Sequence, residues 1–357
     1  MKVTIKNVAE RAGVSLGSVS RVLNGAPTAG DAVTARVRRA IEELGYRPLR
    51  RRKRVAAGHS LCGKSVGLVL LGMHKSLVSL PSVAEAVEGA EAMLSAAGAL
   101  TVLYNIPDPA SPPDHFGRSP VDALILKGAM QGRVLASAAG SLLQRVESLP
   151  VVWMLGRPDG CRGDSVAPDD LAVGRMAAEY LVSRNHRNLA FLNPKPDHVL
   201  FSRRQMSFEW HARQLGATVR CFLADSPNLW QLPLHPVESV QTVQALLGRL
   251  LDSRPRPTAV FCPADSITRQ LYKAFAIGGI EPGRDLSIIS ASYEDASAML
   301  HPSLTSINIH PDAVGRRTVE LLEWRLAHPD EPEVQITMAP SLVEGQSVRT
   351  LPARGTN

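Results

Sequence analysis

The chain is 357 residues long, 45% hydrophobic, 4% aromatic and 20% charged, with a net charge of +7. That length exceeds one ordinary domain, and that apolar content is ample for a packed core, so two or three domains are expected. No apolar run reaches membrane-spanning length, and Cys62, Cys161, Cys221 and Cys262 stand too far apart for a zinc site, so they read as ordinary thiols of a reducing compartment.

The excess positive charge sits at one end. Residues 1–60 hold 13 Lys/Arg against 4 Asp/Glu, whereas the other 297 hold 27 against 29. The stretch VTIKNVAERAGVSLGSVSRVLNG, Val3 to Gly25, predicts two short helices joined by a tight turn. Ile5, Val8, Ala9 and Ala12 recur at helical spacing, with Thr4 placed to cap the first turn. Gly13 supplies left-handed backbone, Val14 plugs the turn, and Ser15 can accept an N–H to start the second helix. Val19, Val22 and Leu23 form its buried stripe. Leu16, Gly17, Ser18, Ser20 and Arg21 are left facing outward before Asn24-Gly25 stops it. Small side chains let a helix backbone approach a DNA groove, and a guanidinium can pair with the O6 and N7 of guanine. A plain helical hairpin with a solvated outer face is the alternative at this point.

A third helix fits Asp31 to Leu44, closed by Gly45 and Pro48, and RPLRRRKR, Arg47 to Arg54, follows with six basic residues in eight. Each cation that contacts a phosphate releases a counterion and adds roughly 0.9 to the salt slope of binding.

These residues, with ELGYRP after them, resemble the headpiece of the LacI/GalR family of bacterial transcriptional regulators. The resemblance implies a homodimer whose two headpieces read a pseudo-palindromic operator in double-stranded DNA. It implies base reading by Leu16, Gly17, Ser18 and the groove-facing Arg21, and backbone contact or capping by Thr4, Ser15, Ser20 and Asn24. It also implies a hinge helix in the linker, with Arg51 and Arg54 beside the DNA and Val55 where the family has a leucine that wedges into the minor groove.

GHSLCGKS, Gly58 to Ser65, matches the phosphate-binding pattern G-x-x-x-x-G-K-S. A true P-loop follows a strand and opens a helix, whereas here a basic linker precedes it and the apolar run Val66 to Leu71 follows.

From residue 65 on, short apolar strands alternate with helical patterns. VGLVLLG, TVLYNI, ALILKG and VVWML make one set, with a helix at Pro81 to Ala97 and a surface loop at Pro107 to His115. A second set begins after Asp164: a helix from Asp169 to Ser183, strand LAFLN, a helix around Gln205 to Leu215, strand TVRCFLA, a helix near Val237 to Leu251, strand TAVFCP, a helix to Ala276, and strand LSIISAS. Such alternation predicts two α/β lobes, each a doubly wound parallel sheet. Acid pairs Asp169-Asp170 and Glu294-Asp295 read as helix caps or solvated loops, and His186 as a cap between helix and strand.

This part too resembles the family, whose regulatory body is similar to periplasmic sugar-binding proteins. The expected layout is an all-α helix-turn-helix headpiece at 1–48, a basic hinge at 49–64, a core at 65–350 and a tail at 351–357. The core divides into an N-lobe, about 65–161 and 311–338, and a C-lobe, about 162–308 and 339–350. The chain crosses between them three times. The effector, a sugar or related metabolite, is expected between the lobes. Arg204 matches the family's clamp arginine. Asp265 remains of an Asn-Asp pair whose first member is Ala264 here, and Ser292 stands where the family's ligand-binding aspartate is expected. Met73, His74, Phe222 and Trp230 are further cleft candidates.

No metal or cofactor motif and no catalytic constellation stands out, so the expectation is a cytoplasmic DNA-binding repressor rather than an enzyme. The alternatives are a solute-binding protein of a transporter, which requires an export signal and no basic headpiece, and a P-loop nucleotide hydrolase.

Overall fold

The computed structural model describes residues 4–23, 31–44, 60–73, 80–118, 120–130, 135, 138–225, 239–292 and 294–353. Residues 1–58 and 59–357 form two compact units.

The first unit holds helices α1 (Ile5–Ala12), α2 (Leu16–Leu23) and α3 (Asp31–Leu44). Thr4 enters α1 in extended backbone, and its N–H and hydroxyl both donate to Oδ1 of Asn7, at 2.9 and 2.7 Å. Gly13, at φ 63°, ends the helix in the left-handed conformation that glycine adopts without strain. Ser15 Oγ then accepts the N–H of Ser18 at 3.1 Å and starts α2. Val8, Ala9, Ala12, Val19, Val37 and Ala40 are buried together, with Val14, Val22, Val33, Ile41 and Leu44 packed on them. Three short helices share one core, none being long enough to stand alone. Arg11 pairs with Glu43 at 2.7 Å, joining α1 to α3; both are well exposed, so the pair adds little. The closing residues Gly45 and Pro48 and the expected hinge helix lie outside the described residues.

The second unit carries two six-stranded sheets. The first contains β1 (Ser65–Leu71), β2 (Leu100–Ile106), β3 (Ala123–Gly128), β4 (Val151–Met154), β5 (Asp164–Pro168) and β11 (Gln335–Met338), in the order β2-β1-β3-β4-β5-β11, all parallel. Its helices are α4 (Pro81–Ala97), α5 (Asp114–Arg118), α6 (Gly140–Ser148) and α12 (Pro311–Ala327). The second contains β6 (Asn188–Asn193), β7 (Thr218–Leu223), β8 (Ala259–Phe261), β9 (Ser287–Ser292), β10 (Thr305–Asn308) and β12 (Ser341–Val343), ordered β7-β6-β8-β9-β10-β12, with β12 antiparallel at the edge. Its helices are α7 (Asp170–Ser183), α8 (Val199–Gln214), α9 (Val240–Asp252), α10 (Asp265–Gly278) and α11 (Asp295–Ala298). The two orders are the same. In each lobe the strand order reverses between the first and third strands, β1/β3 and β6/β8, which opens a crevice at their carboxyl ends.

Why the strands read as unbroken apolar runs is visible in the C-lobe. Leu189, Phe191, Ala259 and Phe261 enter one core with Val173 and Phe208, while Ala190, Leu192 and Val260 enter another with Val243 and Leu271. A parallel sheet covered on both faces has no polar side to alternate with. In the N-lobe, α4 and α12 close to backbone contact. A Cβ at Gly315 would run into the carbonyl of Ala86, and one at Gly89 into that of Asp312.

The expected lobe boundary at residue 161/162 is corrected. Asp164–Pro168 pairs with β4 and β11, so the N-lobe runs to Pro168 and the C-lobe opens with α7. The cause is Asp164, which is 1% exposed and receives Nε and Nη2 of Arg325 at 2.6 and 2.8 Å and the N–H of Val334 at 2.7 Å. Arg325 spends its remaining donors on the carbonyls of His328, Glu331 and Pro332. The element order then crosses between sheets after Pro168, after Asn308 and after Met338, three times.

Other differences are local. The loop expected at Pro107–His115 ends in α5, and α8 begins at Val199, six residues before the expected Gln205. Ser60–Gly63 form a turn and Lys64 leads directly into β1, so the Gly-Lys-Ser segment precedes a strand and does not open a helix. Its first residues, Gly58 and His59, lie outside the described residues.

Candidate functional site

Two surfaces follow from these elements, one in each unit. In the first, burial of Val19 turns the opposite side of α2 outward. Leu16 is 48% exposed, Ser15 and Gly17 are exposed, and Ser18 is partly so. A Cβ at Gly17 would meet only Ser15 Oγ, at 3.8 Å. Ser15 and Ser18 hydroxyls lie 3.0 Å apart. The side chains of Ser20 and Arg21, and the whole of Asn24, Arg51, Arg54 and Val55, lie outside the described residues.

In the second unit a cleft of about 950 Å³, its open mouth included, lies between the lobes. It is built from strand ends. Met73 follows β1, Lys127 and Ala129 sit at the end of β3, Leu155 follows β4, and Pro168 closes β5. From the other lobe come Lys195 after β6, Ala264 and Ser266 after β8, Ser292 and Glu294 at β9, and Ile309 after β10. Both reversals of strand order therefore face the same space, where small molecules bind in such folds.

Arg204, on α8, lines this cleft and is 2% exposed. Its Nε donates to Asp170 Oδ1 at 2.7 Å, its Nη1 donates to the carbonyl of Pro263 at 2.5 Å, and its guanidinium stands 5.9 Å from the Phe201 ring centre. Asp170 is thus a buried ion-pair partner, not the cap or solvated acid expected; the cap of α7 is Asp169, whose Oδ1 accepts the N–H of Ala172 at 2.9 Å.

Asp265 is fully buried and does not line the cleft. Its carboxylate accepts the N–H of Glu294 at 3.0 Å and the hydroxyl of Ser306 at 2.7 Å, so it anchors the loop after β9 from beneath. Burial raises its pKa above the ordinary carboxylate value, opposed by those hydrogen bonds.

Ser292 lines the cleft at φ 104°, a backbone that glycine takes more easily. The carboxylate facing the cleft from this loop belongs to Glu294, which is 3% exposed and paired with Arg269. Glu294 was expected to be a cap or a solvated acid, and burial raises its pKa against the pull of Arg269.

Met73 lines the cleft and is 6% exposed, whereas Phe222 belongs to the C-lobe core; His74 and Trp230 lie outside the described residues. His186 is fully buried between Thr258 Oγ1, at 2.9 Å, and the carbonyl of Arg349, at 3.0 Å.

Two cleft residues escaped the sequence reading. Lys127 is only 7% exposed, its ammonium donates to the carbonyl of Gly128 at 2.6 Å, and burial lowers its pKa to about 8. His198, the residue before α8, stacks on Phe201 at 3.9 Å; its pKa is held well below the usual value by burial and then by Lys127, Lys195 and Arg204. Its Nδ1 is buried without a hydrogen-bond partner among the described residues. Among the described residues no cluster of His, Cys, Asp or Glu could hold a metal, and no helix is long and apolar enough to cross a membrane.

Comparison with known proteins gives a match at each end. Residues 4–48 match the family of bacterial regulatory proteins called the lacI family, and residues 178–348 match the periplasmic binding protein-like domain. The HTH-type transcriptional repressor PurR of Pectobacterium atrosepticum is 27% identical over 358 residues, covering 98% of each chain. PurR of Aliivibrio fischeri is 27% identical over 351 residues, covering 97% of this chain and 98% of its own. Two solved structures share the fold. A complex of the transcriptional regulator CelR with cellobiose has a TM-score of 0.64 at 23% identity, covering 97% of this chain and 99% of that one. The lac repressor dimer bound to operator and an anti-inducer has a TM-score of 0.66 at 20% identity, covering 98% and 100%. Cationic headpiece, two-lobed body and near end-to-end likeness agree: the chain joins a lacI-family DNA-binding domain to a periplasmic-binding-protein-like body and is a DNA-binding transcriptional regulator controlled by a small-molecule effector.

Proposed function

We propose that the protein is a cytoplasmic repressor that binds a pseudo-palindromic operator as a homodimer and carries its effector in the interlobe cleft. The observation that supports this most is that strand ends of both lobes contribute to one cleft, so an occupant touches both lobes and favours one angle between them. A ligand shifts such an equilibrium only by its differential affinity for the two forms. Two half-sites about one helical turn apart tolerate little change in headpiece spacing, so a small change in lobe angle is felt as a large change in affinity. On the headpiece, Leu16, Gly17, Ser18 and Arg21 read bases, while Thr4, Ser15, Ser20 and Asn24 cap or contact the backbone. Arg51, Arg54 and Val55 complete the contact from the linker. In the cleft, Met73, His74, Arg204, Trp230, Asp265 and Ser292 are the proposed effector set, Asp265 acting through the loop it anchors.

A dimer is consistent with apolar side chains left in water, Leu103 at 50%, Trp210 at 58% and Met206 at 63% exposure. The PurR relatives are named repressors, and by that likeness this chain represses too. The reading requires binding alone and no chemistry by the chain.

The test is operator affinity with and without a pool of small metabolites, in the natural protein and in Ser82→Trp, which places an indole in the cleft. A response in the natural protein that disappears in Ser82→Trp is expected. A response that persists in the variant would place the effector elsewhere.

A further inference from the structure

Most of the cleft wall is apolar: Leu80, Val83, Met130, Leu155, Phe201 and Ile267 all line it. Its charged groups are unequally committed. Arg204 is neutralised by Asp170, and Glu294 by Arg269. Among the described residues Lys127 has no carboxylate partner. Its ammonium, brought in on the third strand of the N-lobe, makes one hydrogen bond, to the neighbouring carbonyl of Gly128, and has two further N–H groups to offer. Beside it on the cleft stands His198, whose Nδ1 is buried without a partner and whose ring senses Lys127, Lys195 and Arg204 together. A buried cation without a counter-ion is costly, and so is a buried polar atom without a partner.

We infer that the effector is a small organic anion, whose negatively charged head pairs with Lys127 beside His198 and whose mainly apolar body lies against the cleft walls. This deepens the effector reading above and rests on it. The head is a carboxylate or a monophosphate, since both carry the anionic oxygens to which an ammonium donates charge-assisted hydrogen bonds as a point charge. A neutral sugar offers Lys127 hydroxyl acceptors but no counter-charge. Glu294, on the same cleft, is paired with Arg269, which offsets part of its charge toward the anion.

Protonation follows. The free ammonium titrates near pH 8, so a bound anion draws its proton back and binds best below that pH. The groups facing Lys127 across the cleft are His198, Lys195, Arg204 with Asp170, and Glu294 with Arg269.

The experiment is titration calorimetry on the full-length protein with phenylacetate, 4-hydroxybenzoate, isovalerate and phenyl phosphate, each beside a neutral counterpart such as phenylacetamide, and with the neutral sugars ribose and cellobiose. The inference expects at least one acid to bind at millimolar concentration or better. Its amide should be weaker by about 10- to 100-fold, and Lys127→Met should lose the same factor while still binding operator. The acids against phenyl phosphate tell which head is preferred. Lys127→Gln, which keeps a polar group without charge, should behave like Lys127→Met. Binding by none of the acids, equal binding of acid and amide, or no loss in both variants would overturn it. Binding of ribose or cellobiose that Ser82→Trp abolishes would overturn the anion while leaving the effector cleft standing; indifference to every ligand and to the metabolite pool would remove both.

Discussion

Arg204 Nε donates to Asp170 Oδ1 at 2.7 Å, and each of the two side chains is 3% exposed. The pair ties α8 to the start of α7 within one lobe, directly beneath the cleft. The arginine is therefore both a wall of the cleft and a structural counter-ion. Arg204→Ala leaves a buried carboxylate without its partner, for which about 3–5 kcal/mol of lost stability is expected. Urea denaturation at neutral pH measures it. A loss below about 1 kcal/mol would mean that water reaches Asp170 once the guanidinium is gone.

Lys127 predicts an unusual pH dependence. Folded, it releases its proton near pH 8, whereas unfolded it holds it to the ordinary value of 10.5. Between these values the unfolded chain binds more protons, so stability rises with pH, by about 3 kcal/mol over the window. The difference in unfolding free energy between natural protein and Lys127→Met, followed from pH 7 to pH 10.5, isolates this contribution. A difference that stays flat would show Lys127 to be solvated.

Glu85 has the opposite sign. It lies on α4, and burial, then the charges of Asp295, Asp312, Glu294 and Glu88, raise its carboxyl from 4.5 to about 7. The folded form binds the extra proton, so stability falls as pH rises from about 4.5 through 7. Asp295 and Glu294 belong to the C-lobe, so this repulsion acts between lobes at the cleft. Glu85→Gln is expected to raise the melting temperature at pH 8 and leave it unchanged at pH 4. Equal effects at both pH values would assign the change to packing.

How far the sequence reveals all this depends on how local the cause is. The first three helices are set by near neighbours, Gly13, Ser15 and the stripes Val8-Ala12 and Val19-Val22, and their bounds are legible residue by residue. The strands are legible because sheets covered on both faces are apolar throughout. Lys127 was lost for the same reason, since one lysine ending the run ALILKG looks like the rim of a strand and shows no sign of burial. The start of α8 was missed because the buried Arg204 and the exposed Met206 and Trp210 invert its apolar stripe. Asp164 with Arg325, 161 residues apart, and Asp265 with Ser306, 41 apart, leave no trace in local spacing, so the lobe boundary and the inward anchoring of Asp265 emerge only in three dimensions.

On the headpiece, Arg21→Ala is expected to weaken operator binding by about 1–3 kcal/mol and relax base preference at one position of each half-site. An equal loss on every duplex would make the arginine a backbone contact. Gly17, where an added Cβ meets only Ser15 Oγ, at 3.8 Å, is expected to accept glutamine without loss of folding and with a changed base preference.

The most direct measurement is selection of bound sequences from random duplexes by the purified full-length chain at moderate ionic strength. Enrichment of an inverted repeat whose half-sites lie about one helical turn apart is the predicted result. Recovery of duplexes with no shared sequence, at the affinity of competitor DNA, would contradict the account.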